Sequence, residues 1–148
     1  MSDRAASLSA WEALFRAQVA VLRELGAEFP SGDLSLNEYD VLFNLSRQDD
    51  RQARIRDLNK HLLLTQPSVS RLIDRLAARG LVAKHPDPTD ARGIIVRLTD
   101  DGYRLFRTVA VDHAASIHRR VGGALTTEEL HTLIELCDKL RLADGAPG

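Results

Sequence analysis

The chain has 148 residues, a formal net charge of −1 and 44% hydrophobic content. That is a globular composition, long enough to bury a core. Its one cysteine, Cys137, excludes an intramolecular disulfide and a cysteine-built zinc site. The opening MSDRAASLSAW has no apolar leader, and no run of about 18 apolar residues occurs, so a cytoplasmic location without membrane contact is expected.

Taken in chain order, the first predicted helix spans 9–29. Ser9 and Glu12 have capping-box spacing. Leu8, Trp11, Phe15, Leu22, Leu25 and Phe29 form an apolar stripe at three-four spacing. Pro30 and Gly32 end it. A second helix is predicted from Ser35, with Glu38 completing a capping box and Tyr39, Leu42, Phe43 and Leu45 as its apolar residues. SRQDDRQ reads as a loop. ARI (53–55) is short but could form a brief strand. RDLNKHLLL (56–64) reads as a short helix, with Leu58 and Leu62 apolar.

TQPSVSRLIDRLAARG (65–80) follows. Thr65 is a candidate N-cap, and Pro67 falls in the first turn, where its missing N–H costs nothing. Val69, Leu72, Ile73 and Leu76 make a buried face, while Ser68, Arg71, Arg75 and Arg79 line another. Gly80 stops the helix. LVAKH (81–85) and GIIVRL (93–98) read as two strands of a hairpin joined by a long polar tip. TDDG then opens a long helix of about 100–121 with Leu105, Phe106, Val109, His113 and Ile117 on its stripe, ended by Gly122 and Gly123. Thr126 and Glu129 cap a last helix to 142, and ADGAPG reads as a frayed tail.

The charge is unevenly placed. Residues 47–107 hold 13 Lys/Arg and 8 Asp/Glu, net +5, and the remainder holds 7 and 13, net −6. A basic middle suits a polyanionic partner, although clustered solvated arginines would look the same. Helix, short helix, helix with a basic face, then hairpin is the order of a winged helix-turn-helix. The fold class is therefore mainly α with a small β-hairpin wing. The reading helix would be 65–79, with LLLT as the turn before it. The major groove admits one helix, and helix N-termini offer N–H groups to phosphates. Gln66, Ser68, Ser70 and Arg71 lie in the first turns. At the wing tip, Arg92 is expected to enter a narrow minor groove. Asp90 is expected to hold its guanidinium in a forked pose.

PSVSRLIDRLAARGLV followed by DPTDARGIIVRLTDDG resembles the DNA-binding domain of the MarR family of bacterial transcriptional regulators. The second motif is similar to that family's wing pattern, Asp-x-Arg, a strand, then Leu-Thr-x-x-Gly. The resemblance implies a winged domain at 32–99 and a helical dimerisation region at 1–31 and 100–148. It implies a homodimer on pseudo-palindromic double-stranded DNA, acting as a repressor and not as an enzyme. Gln66, Ser68, Ser70, Arg71 and Arg75 would then meet the major groove or its phosphates, and Asp90 and Arg92 the minor groove. DPTDARG has only one arginine, fewer than the more basic wings of the family, which implies a weaker wing contact.

The resemblance also implies a small aromatic or acidic effector. Trp11, Phe15, Tyr39 and Phe43 are candidates to line its site, with Arg104 and Arg107 to pair with a carboxylate. No cofactor or metal is expected: His113 and His118 are five apart, and the other histidines show no ligand spacing. A peroxide-sensing cysteine near the N-terminus is absent, and Cys137 reads as a small core residue. The alternative function is a winged-helix module that binds protein rather than DNA.

Overall fold

The computed structural model describes residues 3–30, 32–62 and 66–143, the side chain of Gln66 excepted. Its helices are α1 (Arg4–Glu28), α2 (Leu36–Ser46), α3 (Ile55–Asn59), α4 (Gln66–Ala78), α5 (Asp100–Ile117) and α6 (Thr127–Leu142). Its strands are β1 (Gln52–Arg54), β2 (Val82–Asp87) and β3 (Asp90–Leu98), in one antiparallel sheet of order β1-β3-β2. The chain divides into two compact units. One takes in α1 and the chain from His113 onward, and the other is Phe29–Asp112. No helix among the described residues is long and apolar enough to cross a membrane.

The Phe29–Asp112 unit, the winged unit, has a mainly aliphatic core. Val41, Leu42 and Leu45 of α2, Leu58 of α3, Val69, Leu72, Ile73 and Leu76 of α4, and Val96 and Leu98 of β3 are all buried. Local chemistry places these stripes. Ser35 caps α2 by accepting from the Glu38 N–H, and Glu38 returns the bond to the Ser35 N–H. Gly80, at φ 74°, ends α4 in a Schellman turn: its N–H donates to Ala77 O, and the Leu81 N–H donates to Leu76 O.

Thr99 ties the sheet to α5. Its hydroxyl donates to Gly80 O at 2.7 Å and accepts from the Gly102 N–H at 3.0 Å. A Cβ on Gly102 would lie 2.0 Å from Leu81 O, so only glycine fits where α5 starts against that carbonyl. The Leu-Thr-x-x-Gly pattern at 98–102 thus has a steric cause.

The other unit, the helical unit, is held differently. No residue of α1 or α6 is buried. Leu8, Trp11, Phe15 and Leu22 of α1 and Leu133, Ile134, Leu136, Leu140 and Leu142 of α6 are exposed. Ion pairs clasp the end of α1. Arg120 Nη2 lies 2.5 Å from Glu28 Oε1, Arg120 Nη1 lies 3.1 Å from Glu24, and the Ser116 hydroxyl donates to Glu28 at 3.0 Å. Gly122 and Gly123 close a π-helical turn, His118–Gly122, rather than an abrupt break. Thr126 and Glu129 form the expected capping box of α6.

Three expectations need correction. The first helix starts at Arg4, not Ser9, because the Asp3 carboxylate accepts from the Ala5 and Ala6 N–H groups. Glu12 is then mid-helix and pairs with Arg16. Of the helix expected over 56–64, the described residues form α3, five residues long, followed by a turn in which Lys60 and His61 donate to the Asp57 and Leu58 carbonyls; residues 63–64 lie outside the described residues. The brief strand expected at 53–55 exists as β1, and its pairing with β3 makes the wing a three-stranded sheet rather than a bare hairpin. Thr65 and most of the LLLT turn lie outside the described residues, as does most of the tail.

Candidate nucleic-acid interface

The apolar face of α4 packs into the core, which turns its polar face outward. Arg71 and Arg75 are exposed, and Ser68 and Ser70 are half-buried. The Arg71 Nη2 donates to the Ser68 hydroxyl at 3.4 Å, holding that arginine along the helix. Ser68, Arg71, Leu72 and Arg75 share a shallow surface depression with Asn37 of α2. Arg79 is drawn away from this face. It donates to Asp33 O at 2.6 Å and pairs with Glu38 at 3.3 Å, so it braces the start of α2.

The wing is tighter than a long polar tip. Only Pro88 and Thr89 separate β2 from β3. The Asp87 carboxylate closes the turn by accepting from the Thr89 N–H at 2.9 Å and its hydroxyl at 2.7 Å. Arg54 Nε lies 2.6 Å from Asp87 Oδ2. Asp87 is buried, and its carboxyl is held below the usual carboxylate range, first by the two Thr89 bonds and, against the cost of burial, by Arg54. Pro86 stands opposite Ile94 and Asp87 opposite Asp90, so residues 91–93 are an excursion of β3. Arg92, exposed, lies in that excursion. Gly93 passes Asp87 so closely that a Cβ would sit 3.0 Å from the Asp87 Cβ.

Asp90 does not fork the Arg92 guanidinium. Its Oδ1 accepts from the Arg92 backbone N–H at 3.0 Å, and its Oδ2 lies 3.6 Å from Arg56 Nη1. A two-residue turn leaves the carboxylate in reach of the backbone of residue 92, which is an Asx-type contact. An open cavity of about 240 Å³ joins the two parts of this surface; Ser70 of α4, Arg54 and Arg56 of the β1–α3 junction, and Asp90 and Arg92 of the wing line it. Arg54 and Arg56 went unnoticed in the sequence. Their signal was two arginines flanking the apolar Ile55 at a strand end.

The aromatic candidates fall into both units. Trp11 and Phe15 pair on α1 at 5.8 Å between ring centroids. In the winged unit Tyr39 stacks on Phe106 at 5.3 Å and lies 6.4 Å from Phe43. Arg104 pairs with Asp101 on its own helix, and the Arg107 guanidinium lies 5.9 Å from the Tyr103 ring. Arg51, at φ 54°, sets its guanidinium 3.6 Å from the same ring. Among the described residues no group of three or more His, Cys, Asp or Glu could hold a metal. Cys137 is half-buried.

A helix with an outward basic face, a three-stranded sheet and an arginine-bearing wing define a winged helix-turn-helix. Residues 32–93 match the model of the MarR family. Over 84 residues the chain is 31% identical to the multiple antibiotic resistance protein MarR of Salmonella typhimurium, covering 57% of this chain and 58% of that relative. The chain therefore spans little more than half the length of that curated relative. BpsR of Bordetella bronchiseptica, solved in a study of how 6-hydroxynicotinic acid regulates its DNA binding, superposes with a TM-score of 0.73 at 29% identity, covering 88% of this chain and 91% of that one. A MarR family transcriptional regulator of Streptomyces coelicolor, solved in complex with DNA, shares the fold with a TM-score of 0.80 at 24% identity, covering 97% and 90%. The chain is thus similar to the MarR family of transcription regulators, in sequence over residues 32–93 and in fold over most of its length.

Proposed function

We propose that the protein is a sequence-specific DNA-binding transcriptional repressor that works as a homodimer on a pseudo-palindromic operator. The observation that carries this reading is the pairing of two cationic surfaces on one compact unit. Arg71 and Arg75 face outward on α4, and Arg92 is exposed beside the wing turn. In this reading Ser68, Ser70, Arg71 and Arg75, with Gln66 at the helix start, meet the major groove and its phosphates. Arg92 enters the minor groove. Asp90 supports the wing through the Arg92 N–H rather than through its guanidinium.

The winged domain is assigned to 32–99, and dimerisation to 1–31 and 100–148. The exposed apolar rows of α1 and α6 support a second copy as their cover. Release by a small aromatic or acidic effector is supported by the likeness to BpsR, whose DNA binding is regulated by 6-hydroxynicotinic acid. Tyr39 and Phe43 are the effector residues we favour in the winged unit, and Trp11 and Phe15 in the other. Arg107 is a better partner for an effector carboxylate than Arg104, which Asp101 already engages.

The test is an electrophoretic mobility shift with the DNA upstream of the protein's own gene. Wild type is expected to retard it. Arg92→Ala is expected to bind about 1–3 kcal/mol more weakly, with stability changed by less than about 0.5 kcal/mol. No retardation by wild type, or operator affinity unchanged in Arg92→Ala, would remove the DNA reading or the wing assignment respectively.

A further inference from the structure

Two arginines flank Ile55 where β1 passes into α3, and each reaches an aspartate of the wing. The inner pair is built in. Arg54 holds Asp87 at 2.6 Å and donates to the Thr89 hydroxyl at 2.9 Å, and the Asp87 side chain is 1% exposed. The outer pair is open. Arg56 lies 3.6 Å from Asp90, with side chains 61% and 39% exposed. A pair that long and that wet contributes little to stability, so its arginine is free to exchange partners. Arg56 also shares its cavity with Ser70 of α4 and Arg92 of the wing.

We propose that Arg56 is a phosphate-binding residue of the DNA interface and that Asp90 restrains it in the free protein. The inference rests on the DNA-binding reading above and deepens it. With α4 in a major groove and the wing over the neighbouring minor groove, the ridge between the two grooves is sugar-phosphate backbone. That ridge crosses the cavity between Ser70 and Arg92, where Arg56 stands. A phosphate offers a guanidinium the same two-oxygen acceptor as a carboxylate. Arg56 then exchanges Asp90 for a phosphate, leaving the aspartate unpaired beside an anionic strand. Asp90 thus acts on affinity in two opposed ways: its Oδ1 holds the Arg92 N–H, while its charge opposes the DNA. Asparagine keeps the first action and removes the second.

Anisotropy titrations of the full chain over a salt series test this, using a random-sequence duplex and a duplex selected by wild type from a random pool. Arg56→Ala should weaken both duplexes by a similar factor and reduce the slope of log affinity against log salt by about 1. Arg56→Lys should retain the slope. Asp90→Asn should tighten both duplexes by about two- to fivefold, a gain that shrinks in the Arg56→Ala background. Asp90→Ala, which loses the acceptor for the Arg92 N–H, should not share that gain. An unchanged slope in Arg56→Ala, while wild type binds both duplexes, overturns this inference and leaves the DNA reading standing. Weaker binding by Asp90→Asn overturns the restraint. Wild type that binds neither duplex overturns both readings.

Discussion

In the winged unit, the 11-residue α2 buries Val41, Leu42 and Leu45 completely. In the helical unit, the 25-residue α1 buries nothing and leaves Leu8, Trp11, Phe15 and Leu22 at 50–63% exposure. Both helices carry three-four apolar spacing, so periodicity alone does not distinguish them. What differs is the supply of partner surfaces. Around α2 stand α3, α4, the first part of α5 and a sheet, all supplying apolar side chains. Among its described residues the helical unit has only helices, and polar ties centred on Glu28 link the end of α1 to residues 116–120. The amphipathic pattern states that a face is to be covered, not by what. Closure of the first unit fits a rigid reading head, and openness of the second fits assembly.

The sharpest way to test that contrast is to cut into each unit and see what fails. Leu42→Ala removes a side chain with no exposure and should cost about 2–5 kcal/mol in chemical denaturation. A loss well below 1 kcal/mol would mean the winged unit is not close-packed. Gly102→Ala should cost about 1–3 kcal/mol, because the new methyl meets the Leu81 carbonyl rather than a movable side chain. If its midpoint matches wild type, the Thr99–Gly102 closure is looser than the structure has it. Ile134→Ser, on the open face of α6, should leave the stability of the winged unit within about 0.5 kcal/mol. Its effect should appear in assembly, as a dimer weakened by about 1 kcal/mol in sedimentation equilibrium. A dimer of wild-type strength would take α6 out of the interface.

The fold was legible where local chemistry acts alone. Ser35 with Glu38 and Thr126 with Glu129 are four-residue signals, and each capped its helix as spacing implied. Ser9 with Glu12 has the same spacing and failed, because Asp3 offered a stronger acceptor six residues earlier and the intervening alanines propagate the helix. The wing was legible as a hairpin but not in its detail. Asp87 read as one more polar loop residue, and nothing local shows that an arginine 33 positions upstream, Arg54, lies against it. Asp90 and Arg92, singled out together in the sequence, do touch, but through the Arg92 backbone N–H rather than its guanidinium. A side-chain rotamer in a two-residue turn is set by register, and register depends on pairing across strands. Arg56 stayed invisible for the same reason: its partner, Asp90, is brought to it by tertiary structure alone.

The smallest expected effect concerns the polar clasp of the helical unit and carries a sign. The Arg120 hydrogen bonds, then that of Ser116, hold the Glu28 carboxyl below its ordinary value of 4.5, outweighing desolvation. A carboxylate whose folded pKa is depressed stabilises the fold above its unfolded pKa and loses that contribution as the pH falls through the folded value. The clasp should therefore contribute at neutral pH and fade below about pH 4.5, where the unfolded chain begins to take up the proton. Glu28→Gln keeps an acceptor for Arg120 and Ser116 but removes the charge. Its melting temperature should fall short of wild type at pH 7, and the two curves should converge as the pH drops toward 3. Raised salt should shrink the gap at pH 7, because the groups are solvent-facing. A gap that stays constant from neutral to acid pH would show that Glu28 acts by shape and not by charge. The polar clasp would then not be what holds α1 in its unit, and the contrast with the aliphatic winged unit would lose its physical basis.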